Sequence, residues 1–209
     1  MVTGTITVRL ENSSSEGGIQ RSEYRETLPR HLSLFRQLIP LLTDKGLNGI
    51  QLETRFESRC EQIETVLSFV EAVLHKAHLI PADQLSRVML VIHEAVSNAV
   101  YHGNLRVPQQ VRSTQSFPEY ESELNRSKPE LLERTVDLNL NVRDTDAEIL
   151  VSDCGGGFDY QRELSRKHPP DPDRETGRGI FLLKQTVDEM EFRDNGETIY
   201  MKMTWRDYA

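Results

Sequence analysis

Apolar and polar side chains alternate between Ile50 and Phe56, the pattern of a half-buried strand. Thr135–Val142 and Ala147–Ser152 alternate in the same way on either side of a short charged turn, which predicts a hairpin. Thr198–Trp205 reads as a last strand, and Thr5–Leu10 as a short one near the start. Elsewhere the spacing is helical. Leu32, Phe35, Leu38, Ile39 and Leu42 form a stripe that predicts a helix over about Arg30–Leu42, kinked or ended early by Pro40. Ser58 is placed to cap a helix to about His78, with Ile63, Val66, Leu67, Val70 and Leu74 on one face. Pro81-Ala82-Asp83 opens the next helix, which runs to His102 and stops at Gly103. A final helix is predicted from Thr176 to about Met190. Helices preceding an antiparallel set of strands point to a two-layer α/β sandwich.

The breaks suggest how the chain is divided. Asn12–Gly18 is a Ser/Gly linker, and Lys45–Gly49 reads as a break, so residues 1–48 are expected to form an N-terminal extension to a main domain over 49–209. Residues 105–134 are polar and interrupted by Pro108, Pro118 and Pro129. They are expected to form a surface insertion with a turn or two of helix around Tyr120–Asn125. Asp159–Glu175 is a charged loop containing prolines.

Composition narrows the function classes. A net charge of -8 with dispersed Lys and Arg argues against direct nucleic-acid binding, which depends on clustered cations. No apolar run approaches the roughly 18 residues that would cross a bilayer, and the start has neither a basic n-region nor an apolar h-region. Cys60 and Cys154 match no metal spacing and read as two reduced thiols. A cytoplasmic protein is the expectation.

Three patches carry chemistry. On the apolar helix LVIHEAVSNAVYHGN, Glu94 and Asn98 sit one turn apart on the same face. An amide oxygen suits Mg²⁺ beside phosphates, and a carboxylate one turn away could take a proton from an attacking hydroxyl. An exposed polar stripe is the plainer reading. Asp153-Cys154-Gly155-Gly156-Gly157-Phe158 follows a strand, so a carboxylate stands at the sheet's end beside unhindered backbone. Adenine fits there, its amine donating to Asp153 while Gly155 and Gly157 let the base approach; a tight Asx-type turn is the alternative. Gly177-Arg178-Gly179 opens a helix, whose first N–H groups favour phosphate, although a flexible loop closing into a helix has the same composition.

In order and spacing, E-A-V-S-N-A-V-Y-H-G-N, D-C-G-G-G-F and G-R-G-I-F-L-L resemble the nucleotide-binding boxes of the GHKL ATPase superfamily, and within it the anti-sigma-factor serine kinases. The resemblance covers about residues 49–205. It implies the Bergerat ATP-binding fold, with helices over one face of a mixed, mostly antiparallel sheet. It implies ATP and Mg²⁺ as ligands, with Asn98 holding the metal, Glu94 as general base, Asp153 reading adenine, and Gly155 and Gly157 shaping the pocket. Gly177 and Gly179 would contact phosphate, Arg178 would assist, Asp159–Glu175 would be the ATP lid, and His102 would play a structural part. The implied activity is serine/threonine protein kinase and anti-sigma-like regulator, phosphorylating a STAS-type antagonist, with a sigma factor or other regulator as second partner and a homodimer as one assembly. An ATP-binding module that exchanges partners without phosphoryl transfer is the alternative. The 105–134 insertion is longer than the shortest family members need, the first 48 residues have no counterpart in the minimal kinase domain, and Cys154 inside the adenine motif raises a redox switch.

Overall fold

In the computed structural model, which describes residues 4–13, 18–108, 116–165 and 178–205, the alternating segments pair into one sheet. β1 (Thr5–Ser13), β2 (Ile19–Thr27), β3 (Leu47–Glu57), β4 (Thr135–Arg143), β5 (Asp146–Ser152), β6 (Glu189–Arg193) and β7 (Thr198–Thr204) lie in the order β2-β1-β3-β4-β5-β7-β6. Every pairing among the described residues is antiparallel, so the mixed sheet implied by the resemblance is not found there. The registers turn one set of side chains inward. Ile6, Val8, Leu10, Ile50, Leu52, Val136, Leu138, Leu140, Val142, Ala147, Ile149 and Val151 are none of them more than 2% exposed. Burial of such a side chain contributes about 1.5–3 kcal/mol, which is why the two-residue period fixes the face.

The same core takes in α1 (His31–Leu42), α2 (Cys60–Ala77) and α3 (Ala82–Ser97). The other sheet face is charged. Arg9 pairs with Glu23 and Glu53 at 2.5 Å, and Arg55 donates twice to Asp137 at 2.7 and 2.9 Å. One apolar face under helices and one charged face toward solvent make a two-layer α+β sandwich of the Bergerat type.

Several local expectations change. β1 and β2 join the sheet beside β3, and α1 packs on α2, so residues 4–13 and 18–48 share the core of the rest. The break expected at Lys45–Gly49 is a short turn, with β3 already begun at Leu47. In α1 the buried stripe is Leu34, Leu38 and Leu42, while Leu32 is 61% exposed; Pro40 sits in the last turn, two residues from the helix end. Ser58 does not cap α2. Its hydroxyl donates to Arg134 O at 3.0 Å, and the first N–H of the helix, at Cys60, is taken instead by Glu121 Oε2 at 3.0 Å. Glu121 belongs to α4 (Phe117–Ser127), a longer helix than expected in the 105–134 segment, opened by a reciprocal Ser116–Glu119 capping box. Tyr120, Leu124 and Leu132, the last in the short α5 (Pro129–Leu132), are buried in the core. The described part of the segment from 116 to 134 is therefore packed against the core through these side chains, not laid on the surface. The charged loop expected from Asp159 opens with a short helix, α6 (Tyr160–Leu164), and α7 (Arg178–Thr186), the last α-helix among the described residues, ends before Met190, because Glu189–Arg193 alternates and pairs with β7 as an edge strand.

Candidate functional site

The α3 helix does not stop at Gly103 by a left-handed cap. It passes at Asn98 into a single wide π-type turn, Asn98–Asn104, of the kind found often at functional sites. Ala95, Val96, Ala99 and Val100 anchor this stretch in the core, so Glu94 and Asn98, four residues apart, share the opposite face. The first turn of α7 lies directly against them. A Cβ on Gly179 would come to 2.8 Å from Glu94 Oε2 and to 3.1 and 3.2 Å from the Asn98 amide atoms. Glycine lets the helix start come this near without moving either side chain. The Asn98 Nδ2 is buried without a hydrogen-bond partner. Folded proteins rarely leave such an atom unsatisfied, which marks the spot as one a ligand completes.

At the other end, β5 runs into Asp153. Gly155 N donates to Asp153 Oδ1 at 2.7 Å, so the Asx-type turn is present. The turn is also held from outside, by Gly156 N to Glu197 Oε1 at 2.8 Å and by Asp153 N to Glu197 O at 2.9 Å. Gly103 has no room for a side chain, since a Cβ would lie 2.5 Å from both Asp153 carboxylate oxygens, and a Cβ on Gly155 would strike the Gly103 backbone. Gly157, at φ 70°, approaches Asn195 O as closely. Burial pushes the Asp153 carboxyl up to about 6; the Gly155 N–H opposes the rise, Glu197 adds to it, and Arg134 and Arg106 oppose it.

Between the two ends lies a cavity of about 560 Å³, the size of a small-molecule site. It is lined by Glu94, Asn98, Asp153, Gly157, Arg178 and Gly179, which brings six of the sequence-predicted residues together, and by His102. Gly155 is buried behind the lining, where it shapes the turn. Gly177, and the lid segment beyond Ser165, lie outside the described residues. Val151, Ile199, Phe158 and Phe192 supply the apolar wall, the two phenylalanines meeting edge to face at 5.4 Å. That apolar wall and the Asp153 carboxylate face the same cavity. Among the described residues no group of three or more His, Cys, Asp or Glu could hold a metal. A Mg²⁺ here would rest on Asn98, phosphate oxygens and waters, the usual shell of that ion in nucleotide sites. Cys154 is exposed and outside the lining, its thiol 3.6 Å from Thr135 O.

Sequence reading missed Glu197, Phe192 and Asn104. Phe192 stands in an edge strand, within the stretch between the predicted last helix and last strand to which no element is assigned from sequence, and Glu197 reaches Gly156 from 41 positions away. Asn104 alone carries a signal, as the polar last residue of the motif that begins at Glu94.

An antiparallel sheet under helices, with a polar helix face, a carboxylate at the sheet's end and a glycine-opened helix around one cavity, is an ATPase-type α+β domain. Residues 56–203 match the histidine kinase-like ATPase domain, and the chain belongs to that family. It is also similar to the serine-protein kinase RsbW of Staphylococcus aureus: 24% identical over 157 residues, covering 72% of this chain and 84% of the relative, in strains bovine RF122 / ET3-1 and MRSA252. The same identity and coverage hold for the strain Newman protein. No helix among the described residues is long and apolar enough to cross a membrane.

Proposed function

We propose that the protein is an ATP-dependent serine/threonine protein kinase that also binds its targets as an anti-sigma-like regulator, and that its substrate is a STAS-type antagonist in a partner-switching pathway. The observation that supports the reading is the approach of Gly179 to Glu94 and Asn98, which brings a helix N-terminus, a carboxylate and an amide to one point of the cavity. The similarity to serine-protein kinases supports the same choice. Asp153 accepts the adenine amine, and Phe158 and Phe192 flank the ring. The N–H groups that open α7 receive the phosphates, with Gly177 and Arg178 beside them. Asn98 would hold Mg²⁺ through its amide oxygen, and the ion when bound would supply charge neutralisation. Glu94 takes the proton of the incoming serine or threonine hydroxyl as its oxygen bonds to the γ-phosphorus; the bond from that phosphorus to the bridging oxygen breaks, and ADP carries the electron pair away. The added phosphate changes the antagonist's charge and releases it.

The test is transfer from radiolabelled Mg-ATP to a purified STAS-type antagonist, with phosphosite mapping. Wild type is expected to give phosphoserine or phosphothreonine. A folded Glu94→Ala variant should lose about 10²–10⁴-fold in transfer rate while still binding ATP. Nucleotide-dependent capture of the partner with no phosphorylated product would favour the binding-module alternative.

A further inference from the structure

Beyond the residues that line the cavity, one fully buried side chain ties its two ends together. Asn104, the last residue of the π-type turn, is 0% exposed. Its Oδ1 accepts the backbone N–H of Cys154 at 2.8 Å, inside the turn that carries Asp153. Its Nδ2 donates to Ser58 Oγ at 2.9 Å and to Thr135 O at 3.0 Å, at the paired ends of β3 and β4. Its own carbonyl accepts Arg134 Nη1 at 2.9 Å. A primary amide offers one acceptor and two N–H donors in a plane, and all three are used here. With no water access, nothing replaces a bond that is lost.

The neighbours of Asn104 work on the same turn. Gly103 lets the Asp153 carboxylate and Gly155 pack onto its backbone, and the Arg106 guanidinium donates to Gly155 O. The end of the helix that presents Glu94 and Asn98 is thus the seat of the turn that presents Asp153.

We propose that Asn104 is a positioning residue: through Cys154 N–H it fixes the distance between the base-reading turn and the phosphate-facing helix, so that one nucleotide can reach both. This rests on the nucleotide-binding reading of the cavity. The two ends of the amide divide the work. Nδ2 holds Asn104 to the sheet, and Oδ1 holds the turn to Asn104.

Three variants separate the ends. Asn104→Ala removes both, Asn104→Asp keeps an acceptor for Cys154 N–H, and Ser58→Ala trims only the sheet end. Mg-ATP binding is measured by titration calorimetry, transfer at saturating ATP by the labelled assay, and the 154–157 amides by hydrogen exchange. N104A is expected to weaken ATP binding about tenfold or more, with transfer at saturating ATP within about threefold of wild type and exchange raised at 154–157 but not in β3 or β4. N104D should recover most of the affinity, and S58A should lower thermal stability while leaving affinity within about twofold. A folded N104A that binds ATP as wild type does and protects 154–157 as well overturns the proposal, as does an equal loss of affinity in S58A. If wild type binds no ATP, the nucleotide reading fails, and the exchange comparison still decides whether Asn104 holds the turn.

Discussion

Gly103 and Asp153 share one contact, and it governs two expectations. A methyl group at position 103 would press on both carboxylate oxygens at 2.5 Å, so Gly103→Ala has to displace the Asp153 turn. ATP affinity is expected to fall at least tenfold in calorimetry while Glu94 and Asn98 stay in place. The second concerns pH. Burial raises the Asp153 pKa to about 6 from its ordinary 3.8, so the folded protein binds this proton more tightly than the unfolded chain. The resulting stability is fully present below about 3.8 and is lost as pH rises through about 6. Urea titrations should show wild type losing stability relative to Asp153→Asn between those values. An ionised carboxylate is also the better acceptor for an adenine amine, so ATP binding should strengthen over the same interval, and a flat affinity profile would count against Asp153 as the base reader. At this scale the sequence was most legible: Glu94, Asn98, Asp153 and Gly179 announce themselves by being polar or Cβ-less where a helix or strand should be apolar. Gly103 read as a stop signal, because what it yields to is a carboxylate 50 positions away.

Elements were legible where the pattern was strong and local. β4 and β5 each alternate cleanly against one buried face, and both are found with bounds close to expectation. β2 was missed because it is an edge strand whose sequence, IQRSEYRET, offers little but Tyr24 to the core. The cap of α2 was misread because a serine before a helix is the commonest cap, whereas here Glu121 reaches in from α4 and Ser58 serves Asn104. That exchange has a chemical consequence. Burial first, and then Glu121, push the Cys60 thiol up to about 12. Removing the carboxylate in Glu121→Ala should lower that value, speed the reaction of Cys60 with a thiol reagent at pH 8, and cost about 1 kcal/mol of stability through the lost cap. Peptide mapping of the labelled cysteine separates Cys60 from the exposed Cys154. Unchanged Cys60 labelling with unchanged stability would mean that Glu121 does not serve as the cap.

The described residues form one sheet with charge on one side and a single apolar cluster on the other, and residues 4–13 and 18–48 are part of both. Ile6, Val8 and Leu10 complete the buried face beside Ile50 and Leu52, while Leu34, Leu38 and Leu42 roof it from α1. The family match begins at residue 56, so the two added strands and their helix lie outside the ATPase core yet share its interior. A Ser-rich stretch and a Gly-containing turn made this region look separable, because the residues that bind it to the rest pair across the sheet, as Thr5 does with Arg55, and no local window contains both partners. Sharing one core predicts sharing one transition. Leu38 is 0% exposed, and Leu38→Ala should cost about 2–5 kcal/mol. In urea, followed by tryptophan fluorescence of Trp205 at the far end of the sheet and by circular dichroism, the loss is expected as an equal shift of one midpoint in both signals. A variant in which the fluorescence midpoint stays put while the helical signal moves would show that the N-terminal layer unfolds by itself, and that the nucleotide cavity does not depend on it.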